Sequence, residues 1–305
     1  MGNDQYTIPA DVPLHSRSLF SHYYNLITRQ SGRLMLFAGD QKVEHLNQDF
    51  VGDGIAPDDG TPEHLFRIAS QGRIGALATQ LGLIARYGSY YPQVSYIVKL
   101  NSHTNLVPLE TNDPVSWSWY NLDTVLEFQK QSELTIAGIG YTVYLGSRYE
   151  AKMLREAAKL VYQAHQHGLI AIIWAYPKGR SVPRPKDPAL IAGAAGVAAT
   201  LGADFVKVNY PDGPAETAIQ ELAQAVRAAG NTKLICAGGP ATDARVFLET
   251  LYAQIHQGGT AGNATGRNLH QKPLDDAVRF ANAIYAITVE DKTVEQAMQI
   301  YQGRP

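Results

Sequence analysis

The sequence is poor in cysteine: Cys236 is the only one in 305 residues, so no disulfide can form within the chain. Such usage is typical of a reducing compartment, and the cytoplasm is the expected location. Strong charge of either sign is also lacking, because the formal net charge is -2 and the basic residues are scattered. This pattern argues against a nucleic-acid groove or an anionic membrane partner and leaves a small anionic molecule as the expected partner.

Long apolar runs, targeting patterns and clustered metal ligands are missing as well. The longest apolar stretches, such as LIAIIWAY at 169–176, are shorter than the roughly 18 to 20 residues that span a bilayer. The first residues show no basic segment followed by an apolar one, so no targeting segment is expected there. The closest histidines, His165 and His167, point to different faces of a predicted helix. We therefore predict no membrane segment and no metal.

What the sequence does contain is a regular alternation of short apolar runs and longer amphipathic stretches. A strand followed by a helix, with the strand buried on both faces, predicts parallel pairing through right-handed crossovers. An open doubly wound sheet is the alternative, but no strand is followed by a GxGxxG turn and a helix. Eight runs are found, at 33–39, 73–80, 95–101, 135–143, 169–176, 204–210, 233–239 and 261–268.

Eight such units close most economically into a TIM (β/α)8 barrel of the α/β class. We predict a single domain over 1–305 with the barrel core at about 33–290. Helical additions are predicted before the first strand, at 16–32, and after the last, at 293–305. The stretch 102–123 is predicted to be an insertion between the third and fourth strands.

One lysine stands inside the sixth predicted strand, where an ammonium group is unusual. In DFVKVNY, Val206 and Val208 share the parity that suits the helix layer. Strand side chains alternate, so Phe205, Lys207 and Asn209 are predicted to point into the barrel. The alternative is that Lys207 lies on an edge strand and reaches solvent.

Other polar or aromatic residues also occur late in predicted strands, and barrel active sites are built at the carboxyl ends of the strands. Asp40 ends the first strand, and Trp174 and Tyr176 share one face of the fifth. Lys99 lies in the third strand and is predicted to be a substrate-binding residue. The alternatives are that Asp40 only caps a loop and that Trp174 and Tyr176 only fill the barrel.

A lysine inside a barrel suits an amine nucleophile. A free lysine has a pKa of about 10.4, so a neutral amine at neutral pH needs a shift of several units. Desolvation and a second cation such as Lys99 both act in that direction. A neutral Lys207 amine can condense with a ketone to a Schiff base, which withdraws electrons and allows a carbon–carbon bond to break without metal.

Two neighbouring glycine turns predict an anion site. Gly238 and Gly239 end the seventh strand directly before a helix, and Gly266 and Arg267 end the eighth. Barrels frequently hold phosphate in the loops after these two strands, on free N–H groups. Lys178, in YPKGR after the fifth strand, is placed to bind a second anionic end. Simple loop chemistry and a solvated lysine are the alternatives.

Together these segments resemble the archaeal-type (DhnA-like) class I fructose-bisphosphate aldolases. The matching motifs cover most of the chain from 34 to 271: AGDQKVEH, YIVKLN, GIGYTVYLGS, WAYPKG, GADFVKVNYP, AGGPAT and GRN. The resemblance implies a TIM barrel, a lysine Schiff base, sugar-phosphate substrates, no metal and a homo-oligomer. It also implies a place in glycolysis or gluconeogenesis.

The resemblance also implies roles for individual residues. It makes Lys207 the Schiff-base lysine, Tyr176 the proton donor, Trp174 a substrate contact and Asp40 the acidic residue of the first motif. The phosphate turns it implies are Gly238, Gly239, Gly266 and Arg267. The chain departs from the family at Gln41 (often His), Ala237 (Ser), Lys178 (Arg) and Ala241 (Lys). A lysine at 178 cannot reproduce the bidentate fork of an arginine.

The predicted function is therefore reversible, metal-independent cleavage of fructose 1,6-bisphosphate to dihydroxyacetone phosphate and glyceraldehyde 3-phosphate. Two alternatives remain open. One is a related lysine-dependent thiolase, or a synthase acting on another phosphorylated ketose. The other is a non-catalytic barrel that binds a sugar phosphate, which needs the glycine turns but not Lys207.

Overall fold

The computed structural model describes residues 6–106 and 113–304 and shows a closed barrel of eight parallel strands in chain order. The predicted TIM barrel is confirmed. β8 closes the ring by pairing with β1, with Gly262 opposite Leu34. The strands are β1 Leu34–Ala38, β2 Ala76–Gln80, β3 Tyr96–Lys99, β4 Ile136–Leu145, β5 Ile170–Pro177, β6 Phe205–Val208, β7 Lys233–Ala237 and β8 Gly262–Thr265.

Helices surround the barrel, and additional helices lie near both ends of the chain, as predicted. α1 precedes the first strand, and α12 follows the last barrel helix. The helices are α1 Arg17–Thr28, α2 Gln41–Glu44, α3 Glu63–Gln71, α4 Leu81–Tyr87, α5 Leu122–Ser132, α6 Glu150–Gln166, α7 Pro188–Thr200, α8 Ala215–Ala229, α9 Ala244–His256, α10 Arg267–His270, α11 Leu274–Thr288 and α12 Val294–Tyr301.

The end of the eighth strand differs from the prediction. The eighth strand was predicted over 261–268 but ends at Thr265, and Arg267 begins the short helix α10. The chain turns at Gly266, where a Cβ atom would lie 2.9 Å from the carbonyl oxygen of Ala38, so only glycine fits without a shift. The predicted insertion at 102–123 falls partly on 107–112, which lie outside the described residues.

Local signals explain how the chain enters β5 and β6, the strands that carry Trp174 and Lys207. α6 is followed by Gly168 with φ +68° and α7 by Gly202 with φ +84°, the left-handed conformation that ends helices. α7 starts with Pro188 in its first turn, and the Asp187 side chain accepts a hydrogen bond from the N–H of Ala189. The helix ends at Gly168 and Gly202 thus determine where β5 and β6 begin.

The amino-terminal segment is attached at the end of the barrel opposite the carboxyl ends of the strands. His165 is fully buried there; its Nδ1 lies 2.9 Å from Asp11 and its Nε2 lies 3.2 Å from Asp204, just before β6. Burial alone would lower the pKa of His165, but the hydrogen bonds and charges of Asp204 and Asp11 raise it to about 9. The cation thus links the segment before α1 to α6 and β6.

His165→Gln should destabilise the fold by roughly 3 kcal/mol, because Asp204 stays buried without its cation. In the native protein the folded pKa of His165 lies above its ordinary value of 6.5. The stabilisation is therefore complete below that value and is lost as the pH rises through about 9. Urea unfolding at about pH 6 and about pH 9.5 measures this loss. A variant with the same stability and pH dependence as the native protein would contradict the assignment.

Candidate active site

A cavity of about 400 Å³ opens at the carboxyl ends of the strands, where barrel enzymes place their chemistry. It collects side chains that are far apart in the sequence, from the ends of β1, β4, β5, β6, β7 and β8. The predicted site residues that line it are Asp40, Trp174, Tyr176, Lys178, Lys207, Gly238, Gly239, Gly266 and Arg267. Lys99 is the one predicted site residue that does not.

Lys207 lies in the wall of this cavity. It stands opposite Trp174 in the β5–β6 register, and its Nζ is 5.2 Å from the centroid of the Trp174 ring. The residue is only 5% exposed, and its neighbours Val206 and Val208 are fully buried. Burial lowers the pKa of Lys207; the Asp40 carboxylate opposes this shift, and the Lys99 ammonium adds to it. The structure thus places a desolvated amine beside an open cavity.

Lys99 lies beneath the cavity rather than in its wall. It is fully buried, and its Nζ donates hydrogen bonds to the backbone and side-chain oxygens of Asn101 at 2.8 and 3.3 Å. The same Nζ is 4.0 Å from Asp40 and 5.3 Å from the centroid of the Trp174 ring. Lys99 was predicted to bind substrate; it does not line the cavity, and its role stays a prediction. Burial lowers the pKa of Lys99, and the carboxylates of Asp40 and Glu44 oppose this shift.

Asp40 is almost fully buried at the mouth of β1. It directly precedes α2, yet its side chain makes no capping hydrogen bond to that helix. The Asp40 side chain therefore does not cap α2. Its backbone carbonyl accepts a hydrogen bond from Gln80, which holds the residue while its carboxylate faces Lys99 and the cavity.

Tyr176 follows Trp174 on the same face of β5 and stands opposite Tyr144 in the β4–β5 register. Burial raises the pKa of Tyr176 well above its ordinary value, and the carboxylates of Asp40 and Glu44 raise it further. Its phenol therefore keeps its proton at neutral pH and is suited to donate it to an oxyanion.

The Gly238–Gly239 turn forms the side of the cavity next to β8. Gly239 has φ +67°, and a Cβ at Gly238 would lie 3.1 Å from the Cα of Thr265, so both positions favour glycine. The predicted free N–H groups are found only in part. The N–H of Gly238 already donates to the carbonyl of Ala264, and the helix that follows, α9, begins at Ala244 with Asp243 as its cap. The remaining N–H groups and Arg267 are therefore the donors that this turn offers to an anion.

Asn268 is a structural residue of the site that the sequence analysis did not single out. Its Nδ2 donates to the carbonyls of Gly238 and Pro240 at 3.0 and 2.9 Å, and its Oδ1 accepts from the N–H of Thr242 at 3.0 Å. Asn268 thereby joins the loop after β7 to α10, which carries Arg267. Its position directly after the Gly-Arg pair was the available signal.

The two predicted cations stand on separate sides of the cavity. Arg267 follows β8, where its Nη1 lies 3.7 Å from Asp49, and Lys178 follows β5, with its Nζ 5.5 Å from the centroid of the Tyr144 ring. Because β5 and β8 are three strands apart in the ring of eight, the two charges can meet opposite ends of one extended ligand.

Three further observations on the described residues concern an unpaired polar atom in the cavity, metal ligands and membrane helices. Trp174 Nε1 is buried in the cavity wall and has no hydrogen-bond partner within 6–106 and 113–304. Over the same ranges, no group of three or more His, Cys, Asp or Glu residues is arranged to hold a metal ion. No helix in the described part of the chain is long and apolar enough to cross a membrane.

Comparison with known proteins gives the family. The profile of the DeoC/LacD family aldolases matches residues 34–272. The chain belongs to this aldolase family. The matched range contains every residue that lines the cavity.

Individual relatives of the chain refine the likeness. A Methanocaldococcus jannaschii protein named fructose-bisphosphate aldolase/6-deoxy-5-ketofructose 1-phosphate synthase is 55% identical over 97% of this chain and 94% of its own length. A fructose-bisphosphate aldolase structure from Slackia heliotrinireducens superposes with a TM-score of 0.96, at 52% identity, covering 99% of this chain and 96% of that one.

A more distant relative is an archaeal fructose-1,6-bisphosphate aldolase structure whose catalytic lysine is covalently bound to the carbinolamine intermediate of its substrate. It superposes with a TM-score of 0.75 at 29% identity, covering 88% of this chain and 99% of that one. The resemblance to archaeal class I aldolases noted from the motifs is therefore confirmed.

Proposed function

We propose that this protein is a Schiff-base aldolase that reversibly cleaves fructose 1,6-bisphosphate to dihydroxyacetone phosphate and glyceraldehyde 3-phosphate. The observation that carries the proposal is the buried amine of Lys207, with its lowered pKa, in the wall of a cavity that also contains Asp40 and Tyr176. The reaction needs no separate cofactor, because the covalent lysine imine supplies the electron sink.

The arrangement of the cavity supports a particular orientation of the ketose. Its C1 phosphate binds the turns after β7 and β8, with the Gly239 backbone and the Arg267 guanidinium as donors. The C2 carbonyl then faces Lys207 on β6, and the chain continues past β5 towards Lys178. Trp174 Nε1, which lacks a protein partner in the described residues, is available to donate to a substrate hydroxyl. Binding of the phosphate in this way holds the carbonyl at the amine.

The chemistry follows from these positions. The neutral Lys207 amine attacks C2, and the carbinolamine loses water to give a protonated imine, with Asp40 beside it to accept and return protons. The C4 hydroxyl then passes its proton through the Tyr176 phenol to the Asp40 carboxylate. The bond between C3 and C4 breaks, and its electron pair moves into the imine to form an enamine. Protonation of the enamine at C3 and hydrolysis release dihydroxyacetone phosphate. In synthesis the Tyr176 phenol donates its proton to the C4 oxyanion.

A second candidate function is synthesis of 6-deoxy-5-ketofructose 1-phosphate. The observation that favours it is the double name of the M. jannaschii relative, which is 55% identical to this chain. Breaking the bond between C3 and C4 of that compound gives dihydroxyacetone phosphate and 2-oxopropanal. Both functions therefore use the same enamine on Lys207 and differ in the aldehyde that the enamine meets.

Borohydride trapping tests the shared chemistry. After incubation with dihydroxyacetone phosphate and reduction, mass spectrometry should find a substrate-sized adduct on the peptide that contains Lys207. A barrel that only binds sugar phosphates would give no adduct. A second incubation, without borohydride, combines dihydroxyacetone phosphate with either glyceraldehyde 3-phosphate or 2-oxopropanal. The product shows which aldehyde the enzyme joins to it.

A further inference from the structure

The far end of the cavity, opposite the phosphate turns, contains a carboxylate that the proposed reaction does not use. In a ring of eight strands, β7 and β8 lie across from β3 and β4. Glu44, the last residue of α2, lines the cavity on that far side. Its Oε1 accepts a hydrogen bond of 2.6 Å from Ser102, and its backbone carbonyl accepts one of 2.6 Å from Asn105. Both donors follow β3, so the loop after β3 holds Glu44 in place.

Charges of both signs face this end of the cavity. Tyr144 is buried there beside the Glu44 carboxylate, and the Lys178 Nζ lies 5.5 Å from the centroid of the Tyr144 ring. Within 6–106 and 113–304, no lysine or arginine nitrogen is within 4.0 Å of the Glu44 carboxylate, so no ion pair neutralises it. Glu44 and Lys178 therefore act separately on whatever occupies the far end.

The aldehyde half of a ketose 1-phosphate occupies this end when the first phosphate is bound at β7 and β8. A second phosphate there carries a charge of about −1.5 to −2, and Lys178 attracts it while Glu44 repels it. An uncharged end that carries hydroxyl groups has no such conflict, because a hydroxyl can donate a hydrogen bond to the carboxylate.

We propose that Glu44 is a specificity-determining residue of this aldolase: it weakens the preference for a phosphate on the aldehyde half and admits ketose 1-phosphates whose far end is uncharged. This inference rests on the proposed function, since it assumes the imine at Lys207. According to this inference, the opposing charges of Glu44 and Lys178 together determine which substrates are accepted, and the cations Lys178 and Arg267 alone do not.

The test compares two ketoses that differ only in the second phosphate, fructose 1,6-bisphosphate and fructose 1-phosphate. Glu44→Gln keeps the size of the side chain and removes its charge. The ratio of kcat/KM for the bisphosphate to that for the monophosphate should rise about tenfold, which corresponds to about 1.4 kcal/mol. Lys178→Gln should lower the same ratio by a similar factor.

Two further variants separate charge from structure. Glu127→Gln makes the same change on the exposed face of α5 and should leave the ratio unchanged. Ser102→Ala keeps the carboxylate but removes its hydrogen bond, and should change the ratio far less than Glu44→Gln does. The proposal is overturned if Glu44→Gln behaves like Glu127→Gln, or if it lowers kcat/KM for both ketoses equally.

Failure of the inference and failure of the proposed function look different. Suppose that both ketoses are cleaved and that the Lys207 adduct forms. If Glu44→Gln then leaves the kcat/KM ratio unchanged, only the role of Glu44 is wrong. If neither ketose is cleaved and no adduct forms after borohydride reduction, the proposed aldolase function fails and the role of Glu44 fails with it.

Discussion

Lys207→Met should abolish cleavage of fructose 1,6-bisphosphate, with a loss of about 10⁴-fold or more in kcat, as expected when a covalent nucleophile is removed. Methionine fills a similar volume beside Trp174 but cannot form an imine. The borohydride adduct with dihydroxyacetone phosphate should disappear together with turnover. Both are measured on the same preparation, by coupled assay and by peptide mass spectrometry.

Lys99→Met is the matched control for this prediction. Lys99 is also a buried lysine close to Trp174 and Asp40, but the structure places it behind the cavity wall. The variant should be slower than the native protein and should still give the adduct on Lys207. An adduct that survives Lys207→Met, or moves to Lys99, would contradict the assigned nucleophile.

Tyr176→Phe should lower kcat by roughly 10²- to 10⁴-fold, the usual contribution of a positioned general acid or base. The adduct on Lys207 should remain, because condensation of the amine with the ketone does not need the phenol. Loss of turnover with retention of the adduct separates cleavage of the C3–C4 bond from formation of the imine. Turnover equal to that of the native protein would remove the role assigned to Tyr176.

The neighbouring tyrosine provides a control for Tyr176→Phe. Tyr144 stands opposite Tyr176 in the strand register and also lines the cavity, so Tyr144→Phe removes a comparable buried hydroxyl. Its expected effect on kcat for fructose 1,6-bisphosphate is less than about tenfold. Equal losses in the two variants would indicate a general disturbance of the cavity and not a proton transfer by Tyr176.

The barrel could be predicted because its signals are local. Each strand was visible as a short apolar run, and glycines such as Gly168 and Gly202 marked the helix ends before the next strand. The inward direction of Lys207 followed from parity, since alternation along a strand needs only neighbouring residues. The positions of Tyr176 and Trp174 followed in the same way.

Contacts between distant loops could not be predicted in this way. Strand parity does not reveal depth along the barrel: Lys99 was predicted to be a substrate-binding residue, but it is fully buried and does not line the cavity. The position of Asn268 after the Gly-Arg pair marks the residue but not its partners in the loop at 238–242. No local sign indicates that Ser102 would hold Glu44 across 58 residues of sequence. The N–H of Gly238 was expected to be free, but pairing with β8 uses it.

The sequence by itself determined the eight strand–helix units, the inward lysine of the sixth strand and the glycines after the seventh and eighth. These depend on periodicity and on backbone freedom, which are properties of short segments. Only the tertiary structure decided which charges meet at the cavity: that Lys99 and Asp40 lie behind and beside Lys207, and that Glu44 and Lys178 share the far end. Closing the barrel brings these groups together, and electrostatic energies depend on the resulting distances and burial rather than on sequence spacing.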